Sequence, residues 1–241
     1  METKYVLYLP RKIIIIIINS KSMKKIILSL AILSSIAIAF FAFKKQEVEL
    51  KQEVTVSINI EDLNNIDTSV SVLNWKGSKP TGSHDGTVAL KSGGLLVEAG
   101  EITKGVFVVD MNTITNVDMA GSNGAGKIEG HLKASDFFDV ALYPTAKFVI
   151  TSVKKNKDKL AVTGNLTIKK TTKSITIPAT MLTKNGITTF KSETFNVDRT
   201  DFGVTYASKS IFAALKDKFI NDLMEFSFVV VTKTPETIKN I

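Results

Sequence analysis

The sequence has no cysteine among its 241 residues and only two histidines, His84 and His131. Disulfides and a lipid-modified cysteine are therefore excluded, and a zinc site would have to combine histidine with carboxylates. Asp85 lies beside His84 and Glu129 lies near His131, but this spacing matches no specific metal pattern. We interpret both histidines as hydrogen-bonded structural residues, with a ligand contact as the alternative. No metal site is predicted.

The folded part of the chain also lacks an excess of charge of either sign. The formal net charge is +8, but residues 1–45 hold eight of the 31 basic residues and one of the 23 acidic residues. That segment carries +7, which leaves +1 for the remainder. A nucleic-acid partner would require a basic face, so none is predicted. The lysine cluster at 154–159 joins two strand-like runs and is interpreted as a solvated hairpin tip.

Residues 1–45 are predicted to be a leader. Met23, Lys24 and Lys25 precede an apolar run at 26–43, and Ala37-Ile38-Ala39 forms an A-x-A cleavage pattern. We expect a secretory signal that begins at Met23, with residues 1–22 as an upstream mistranslated extension. The predicted location is periplasmic or secreted. An uncleaved membrane anchor is the alternative, because the run is close to the length of a bilayer span.

Beyond the leader, apolar residues alternate with polar ones at the period of a β-strand. The alternation is regular at 160–169, 175–181 and 224–230, and further strands are predicted at 66–76, 84–92, 94–99, 102–112, 145–154 and 187–198. Only 134–138 and 210–216 read as short helices. One apolar face per strand and a single core predict an all-β protein with a sheet closed into an eight-stranded barrel. A two-sheet sandwich is the structural alternative.

Turn residues and prolines divide this region without marking a second domain. Asn185-Gly186 and Gly93-Gly94 are predicted turns. Pro178 removes a ladder donor, so its strand is predicted to lie at an edge or a bulge. We assign 46–65 to an approach segment, 66–232 to the barrel and 233–241 to a loose tail.

The motifs that resemble catalytic sites are incomplete. Residues 121–127 fit the start of a P-loop, but Ile128 replaces the magnesium-binding hydroxyl. With Gly130 so close, we predict a flexible glycine turn with no following helix. Asp136 and Asp139 resemble a carboxylate pair, although capping and closing a turn is the favoured role. There is no G-x-S-x-G pattern, and no catalytic residue is predicted.

Aromatic residues are concentrated in segments that connect or flank the strands. This set comprises Phe137, Phe138, Tyr143, Phe148, Phe202, Tyr206, Phe212 and Phe219. Such residues either plug the ends of a barrel or line the mouth of a cavity that accepts an apolar ligand. The residues alone leave both alternatives open.

Several separated phrases resemble the YceI-like family of polyisoprenoid-binding proteins, in the branch found in Bacteroidetes-type bacteria. The phrases are Asp67-Thr68-Ser69 with Trp75-Lys76-Gly77, Gly82-Ser83-His84-Asp85-Gly86, Asp110-Met111-Asn112-Thr113-Ile114, the run at 130–139 with Tyr143-Pro144, the run at 164–169, and Asp198-Arg199-Thr200. The resemblance implies a lipocalin-like extended antiparallel barrel with a long apolar tunnel for an isoprenoid chain. It also implies a protein that is not an enzyme. Lys170 and Thr68 depart from the family pattern, at positions where glycine and histidine are usual.

The resemblance leads to a set of expected ligand-binding residues. Trp75, Phe137, Phe138, Phe148, Phe202 and Phe212 are expected to form the wall or lid of the tunnel. His84, His131, Tyr143 and Arg199 are expected to orient a polar headgroup. A buried ion pair of Arg199 with the flanking Asp198 or Asp201 is the alternative for that residue.

The expected ligand is an isoprenoid-type lipid or quinone, bound without catalysis, and no other cofactor is expected. Membrane contact is expected only through the leader or during transient lipid exchange. The sequence leaves open the choice between a monomer and a homodimer. The alternative function is a structural or stress-protective envelope protein whose barrel is filled by its own side chains.

Overall fold

The computed structural model describes residues 5–9, 12–16, 59 and 63–233, which belong to two separate units, Met1–Ser57 and Ile58–Ile241. The first unit contains an antiparallel hairpin of β1 (Tyr5–Leu9) and β2 (Lys12–Ile16). The predicted signal segment that begins at Met23 and residues 234–241 of the predicted tail lie outside the described residues. Across the described part of the chain, no helix combines the length and hydropathy needed to span a membrane.

The second unit consists mainly of strands. They are β3 (Val72–Lys79), β4 (Gly82–Glu98), β5 (Glu101–Asp110), β6 (Thr115–Asn116), β7 (Thr145–Asn156), β8 (Lys159–Ile168), β9 (Thr171–Lys184), β10 (Ile187–Ser192), β11 (Phe195–Asp198) and β12 (Leu223–Val231). One α-helix, α1 (Asn123–Lys133), lies between β6 and β7. Three short 3₁₀ helices occupy Met111–Thr113, Arg199–Phe202 and Ala213–Lys218.

Eight of these strands form the closed antiparallel barrel that the sequence predicted. Neighbours follow the order β3, β4, β5, β7, β8, β9, β10 and β12, and β12 returns to β3. A short ladder closes the ring, in which Thr189, Phe190 and Lys191 of β10 pair with Val231, Val230 and Val229 of β12. The other two strands are additions, because β6 pairs with β4 and β11 pairs with β12.

The period-two pattern places one set of side chains inside the barrel. In β8, Leu160 and Val162 are buried while Ala161 is exposed, and in β9 Ile177 and Ala179 are buried. Successive side chains of a strand point to opposite faces of the sheet. The apolar alternation therefore becomes the barrel interior.

Two of the predicted turns are confirmed and one is wrong. Asn185 and Gly186 form the two-residue turn between β9 and β10, with φ of 52° and 78°. The lysine cluster likewise turns at Lys157, with φ of 55°, and Asp158. At Gly93 and Gly94, however, β4 continues without a turn. A Cβ on Gly94 would lie 2.9 Å from Leu63, so this glycine allows the incoming chain to cross the strand closely. A Cβ on Gly93 would instead meet the backbone of Val106 and Phe107 in β5.

Pro178 is not on an edge strand, because β9 pairs with both β8 and β10. The β10 ladder nevertheless ends at Ala179, and the Pro178 carbonyl accepts a hydrogen bond from the Glu193 backbone N–H at 2.9 Å. In an antiparallel strand the N and O of one residue face the same neighbour. An N–H at position 178 would point toward β10 beyond the last pair of the β9–β10 ladder. The proline therefore removes no hydrogen bond between paired residues of that ladder.

The prediction of a helix-free glycine turn at 121–127 is wrong. Helix α1 begins at Asn123, and its N-cap Ser122 accepts a hydrogen bond from the Ala125 N–H at 3.3 Å. Burial of Ala125 and Leu132 outweighs the low helix propensity of the three glycines in α1. Residues 134–138, predicted as helix, form turns after α1 ends, and the second predicted helix is the 3₁₀ helix Ala213–Lys218.

Glycine substitutions provide a test of these local packing constraints. A Cβ at Gly86 would lie 1.9 Å from the Thr115 carbonyl oxygen and 2.7 Å from the Trp75 ring. We expect Gly86→Ala to lower the free energy of unfolding by about 1–3 kcal/mol. Gly126 in α1 has no neighbour within 4 Å of its added Cβ. There we expect Gly126→Ala to raise the unfolding free energy by about 0.5–1 kcal/mol.

Urea denaturation of the two variants measures both changes. A Gly86→Ala variant as stable as the parent chain would contradict the close approach of Trp75 and β6 to β4.

Candidate functional site

The barrel encloses an apolar cavity in the half that lies toward α1. This inner cavity has an empty volume of about 940 Å³, mouth included. Its lining comes from seven barrel strands, from β11 and from the connection between β5 and β7: Leu73, Trp75, Val88, Leu90, Phe107, Val109, Met111, Ile114, Leu132, Phe138, Ala146, Lys147, Phe148, Leu166, Ile168, Ile175, Ile177, Phe195, Val197, Met224, Phe226, Phe228 and Val230. Every lining residue except Lys147 is apolar. A predominantly apolar lining is typical of small-molecule sites.

Three aromatic rings in mutual contact lie at the inner end of the cavity, and two of them, Phe107 and Phe228, line it. Phe190 is fully buried, and its ring centroid lies 6.0 Å from that of Phe107 and 5.0 Å from that of Phe228. Beyond these rings the barrel is filled by buried side chains such as Leu95 and Val162. The interior is therefore hollow in one half only, which differs from the tunnel through the whole barrel that the family resemblance implied.

The roof of the cavity is built by the phenylalanine turn that follows α1. The Phe138 N–H donates a hydrogen bond to the Leu132 carbonyl at 3.1 Å. The Asp139 N–H donates to the Ala134 carbonyl at 2.9 Å, and this bond closes the turn. Asp139 adopts a φ of 52°, a left-handed conformation that aspartate tolerates better than most residues. Phe138 thereby lines the inner cavity, whereas Phe137 faces a second pocket.

The barrel wall is unpaired along one seam beside the inner cavity. β9 pairs with β10 only from Ala179 onward, and β11 pairs with β12 but not with β9. An ion pair from Lys173 to Asp201, with Nζ and Oδ1 3.3 Å apart, spans the seam near its outer end. Between this pair and Pro178, the half-buried cavity residues Ile175 and Phe195 flank the seam.

A second, outer pocket lies at the same end of the barrel. Its empty volume is about 720 Å³, and it shares Trp75, Leu132 and Met224 with the inner cavity. The other lining residues are Gly77, Ser78, Lys79, Gly82, His84, Ile128, His131, Phe137 and Ile220. The outer pocket thus adds two imidazoles and an ammonium group to an apolar surface. In the described part of the chain, no cluster of three His, Asp or Glu side chains could hold a metal ion.

The two histidines of the outer pocket each face a carboxylate. His84 Nδ1 lies 2.9 Å from Asp118 Oδ2, and His131 Nε2 lies 3.4 Å from Asp136 Oδ2. The His131 ring also packs edge-on against Tyr206, with centroids 4.5 Å apart. The hydrogen bond from His84, supported by the Asp85 N–H and by Asn116, lowers the pKa of Asp118 to about 2. Asp118 therefore stays ionised and keeps an acceptor beside His84.

Arg199 joins the connections that surround the outer pocket. Its guanidinium is buried and donates to the carbonyl oxygens of Val204 at 2.8 Å, Ile220 at 3.0 Å and Asn221 at 3.1 Å. Its ion partner is Asp222, 3.3 Å away. Burial lowers the pKa of Arg199, and Asp222 and Asp198 oppose that effect. The guanidinium carbon also lies 5.5 Å from the centre of the Phe137 ring.

Of the ten residues expected to contact a ligand, six line one of the two pockets. Trp75, Phe138 and Phe148 line the inner cavity, and Trp75, Phe137, His84 and His131 line the outer pocket. Phe202 is buried elsewhere, Phe212 is half exposed on the outside, and Tyr143 and Arg199 line neither space. The expected ion pair of Arg199 with Asp198 or Asp201 is not formed. Asp198 accepts a hydrogen bond from the Thr200 N–H instead, and Asp201 pairs with Lys173.

Most of the lining was not identified from the sequence. The missed residues are aliphatic positions of ordinary alternating strands, such as Leu90, Leu166 and Ile177. Their pattern predicts that they face inward but does not predict whether the space before them is filled. Asp118 and Asp222 were missed because each lies far along the chain from its partner.

Comparisons with known proteins identify the family of this domain and solved structures that share its fold. The profile of the YceI-like domain matches residues 64–232. Protein YceI of Salmonella arizonae is 39% identical over 72 residues, a match that covers 30% of this chain and only 37% of that protein.

Two solved structures share the fold. BcnA of Burkholderia cenocepacia is 20% identical, with a TM-score of 0.57, and the match covers 70% of this chain and all of BcnA. A polyisoprenoid binding domain of Saccharophagus degradans, implicated in plant cell wall breakdown, is 16% identical, with a TM-score of 0.54. That match covers 71% of this chain and 98% of that domain. At these identities the likeness concerns the fold alone.

Replacement of Arg199 tests its role in holding the end of the barrel. Arg199→Met leaves three carbonyl groups and Asp222 without their cation, so we expect a loss of about 3–5 kcal/mol in the free energy of unfolding. Lys173→Met removes an exposed ion pair and is expected to cost less than about 1 kcal/mol. Equal unfolding midpoints of the two variants in urea would rule out this role.

The His84–Asp118 pair predicts a pH dependence. In His84→Ala the pKa of Asp118 should rise from about 2 toward its ordinary value of 3.8. Since the native pKa is depressed, the stabilisation is complete above pH 3.8 and is lost as the pH falls toward 2. The parent chain should therefore lose more stability over that interval than His84→Ala.

Carboxyl ¹³C NMR titration of Asp118 measures this midpoint. His131→Ala is the matched control and should leave it unchanged. An Asp118 midpoint that does not move in His84→Ala would refute the assignment.

Proposed function

This chain belongs to the YceI-like domain family, and we propose that its barrel binds a polyisoprenoid or a similar amphiphilic lipid, of the isoprenoid quinone type, without catalysing a reaction on it. The observation that carries this proposal is the inner cavity, whose lining is apolar apart from Lys147. Apart from Lys147, no lining residue carries an ionisable side chain. The lining offers a large area on which a hydrocarbon chain can leave water.

The free energy available from burial is sufficient for firm binding. An isoprenoid unit with about 100 Å² of apolar surface gains roughly 2.5 kcal/mol when it is buried. Two or three buried units gain about 5–7.5 kcal/mol. The cost of immobilising one lipid is about 4–15 kcal/mol, so firm binding requires several buried units. The polyisoprenoid binding domain of Saccharophagus degradans, with the same fold, supports this choice of ligand class.

The outer pocket is suited to the polar end of the same ligand. It adjoins the inner cavity through Trp75, Leu132 and Met224, and it contributes His84, His131 and Lys79. Imidazole and ammonium groups donate hydrogen bonds to carbonyl or phosphate oxygens. We assign the apolar chain to the inner cavity and the headgroup to the outer pocket.

The seam between β9 and β11 offers the chain a lateral route into the cavity. No backbone ladder has to break there, and the Lys173–Asp201 ion pair that spans it is exposed on both sides. Exposed pairs of this kind are weak. Passage between Ile175 and Phe195 would require side-chain rotation rather than unfolding of a strand.

A location in the cell envelope agrees with this function. The predicted signal at Met23 supports export to the periplasm or secretion. The alternative function, a protective protein with a filled barrel, is less well supported, because side chains fill only the half of the barrel below Phe107, Phe190 and Phe228.

A lumen-filling substitution tests the proposal. Ala146 lines the inner cavity on β7, so Ala146→Phe should occupy the space of the chain and reduce co-purified lipid at least tenfold, an effect of about 1.4 kcal/mol. Ala161 is exposed on β8, and Ala161→Phe is the matched control that should retain the lipid. Mass spectrometry of an organic extract measures the bound lipid in each protein.

The parent chain and the control should yield an isoprenoid-type lipid in proportion to protein. Protein that is folded but carries no extractable lipid, and takes none up from an added isoprenoid quinone, would contradict the proposal.

A further inference from the structure

The connection between β11 and β12 carries two neighbouring apolar side chains into water. Within residues 206–219, here called the docking loop, Ile211 and Phe212 are each 48% exposed and Tyr206 is 42% exposed. Burial of such side chains is normally favourable. Ile211 and Phe212 are adjacent, so together they form a small exposed apolar patch in this connection.

The docking loop is held by internal hydrogen bonds, so a lack of contacts does not explain the exposure of its apolar side chains. Ser208 is fully buried, the Phe212 N–H donates to the Ser208 carbonyl at 2.9 Å, and the Ile220 N–H donates to the Ala207 carbonyl at 2.9 Å. The Ser210 N–H donates to Asp222, the partner of Arg199. The base of the docking loop is thus held by named bonds, while its tip is directed away from the core.

Basic side chains surround the apolar tip. Lys209, Lys216 and Lys218 are exposed, against a single acidic residue, Asp217. The Lys209 ammonium lies 4.8 Å from the centre of the Phe219 ring. Apolar residues that insert between lipids, together with lysines at headgroup level, are the combination that binds an anionic membrane surface.

The docking loop is also next to the site. Ile220, which directly follows it, lines the outer pocket, and the Asn221 N–H donates to the Ser78 carbonyl at 2.8 Å. Tyr206 packs on His131 of the same pocket. A surface bound by this loop would lie close to the mouth of the outer pocket.

We propose that the docking loop binds the surface of an anionic lipid bilayer, with Ile211 and Phe212 inserted among the lipids and the three lysines on their headgroups. The biological role of this binding rests on the proposed function, since an isoprenoid lipid has to be collected from a membrane or returned to one. The binding itself does not require a ligand in the barrel.

The size of the patch favours a bilayer over a protein partner or a second copy of this chain. Two half-exposed side chains supply on the order of 200 Å² of apolar area. A stable protein interface buries about 800 Å² on each partner. Lipids adjust their positions around a small protrusion, so a patch of this size is sufficient for them.

Because the chain has no cysteine, a single introduced thiol can report on one position. Ile211→Cys, labelled with an environment-sensitive fluorophore, is mixed with vesicles of phosphatidylcholine and phosphatidylglycerol. We expect emission to rise at least about twofold and to be quenched by spin-labelled lipid, as for a probe that enters the membrane interface. Leu182→Cys is the matched control, since Leu182 is 68% exposed near the β9–β10 turn at the opposite end of the barrel.

A second variant tests the charges. Lys209→Glu, Lys216→Glu and Lys218→Glu together, in the labelled Ile211→Cys chain, should raise the vesicle concentration needed for half of the emission change at least about tenfold. Any binding through the leader is common to all these chains and does not place position 211 in lipid.

The outcomes separate this inference from the proposed function. No emission change at position 211, in protein that still carries lipid, overturns the docking loop alone. A change that follows protein concentration without vesicles indicates a second copy and also overturns it. Membrane insertion in protein that takes up no isoprenoid lipid supports the docking loop and overturns the proposed function.

Discussion

The ladder between β10 and β12 is the contact on which the rest of the barrel depends. It closes the sheet through only three residue pairs, and it fixes Phe190 and Val230 in the interior. Next to the ladder, Phe190 is fully buried, while Val230 also lines the inner end of the cavity. Where β10 ends at Ser192 and the chain continues into β11, the wall opens into the seam and the interior becomes hollow. The closure of the barrel and the position of the seam therefore both follow from how short this ladder is.

The hollow end is covered by connections rather than by strands, and Arg199 holds them together. Its hydrogen bonds reach the segment that carries the docking loop, and its charge lies over Phe137 of the roof. A buried cation with several acceptors is expensive to disrupt. Arg199 therefore links the roof, the outer pocket and the base of the docking loop, beside a seam that the exposed Lys173–Asp201 pair spans.

Period-two alternation was sufficient to predict the barrel, because a closed sheet with one apolar face has few other solutions. It was also sufficient for turns such as Asn185-Gly186, where positive φ restricts the residue type. It failed at α1, since its glycines oppose a helix that burial of Ala125 and Leu132 and packing of Ile128 stabilise. It failed again at Gly93-Gly94, where Gly94 allows a chain crossing and Gly93 a close approach of β5. The hollow volume itself was beyond prediction, because alternation gives the direction of a side chain but not the distance to its opposite neighbour.

The chain contains a single tryptophan, and that residue, Trp75, lines both the inner cavity and the outer pocket. Its fluorescence therefore reports directly on whether the hollow half of the barrel takes up a ligand. Titration of lipid-extracted protein with an isoprenoid quinone, which quenches indole emission, should reduce the signal to a plateau at one quinone per chain. Emission that stays unchanged, or that falls without saturation, would contradict the account.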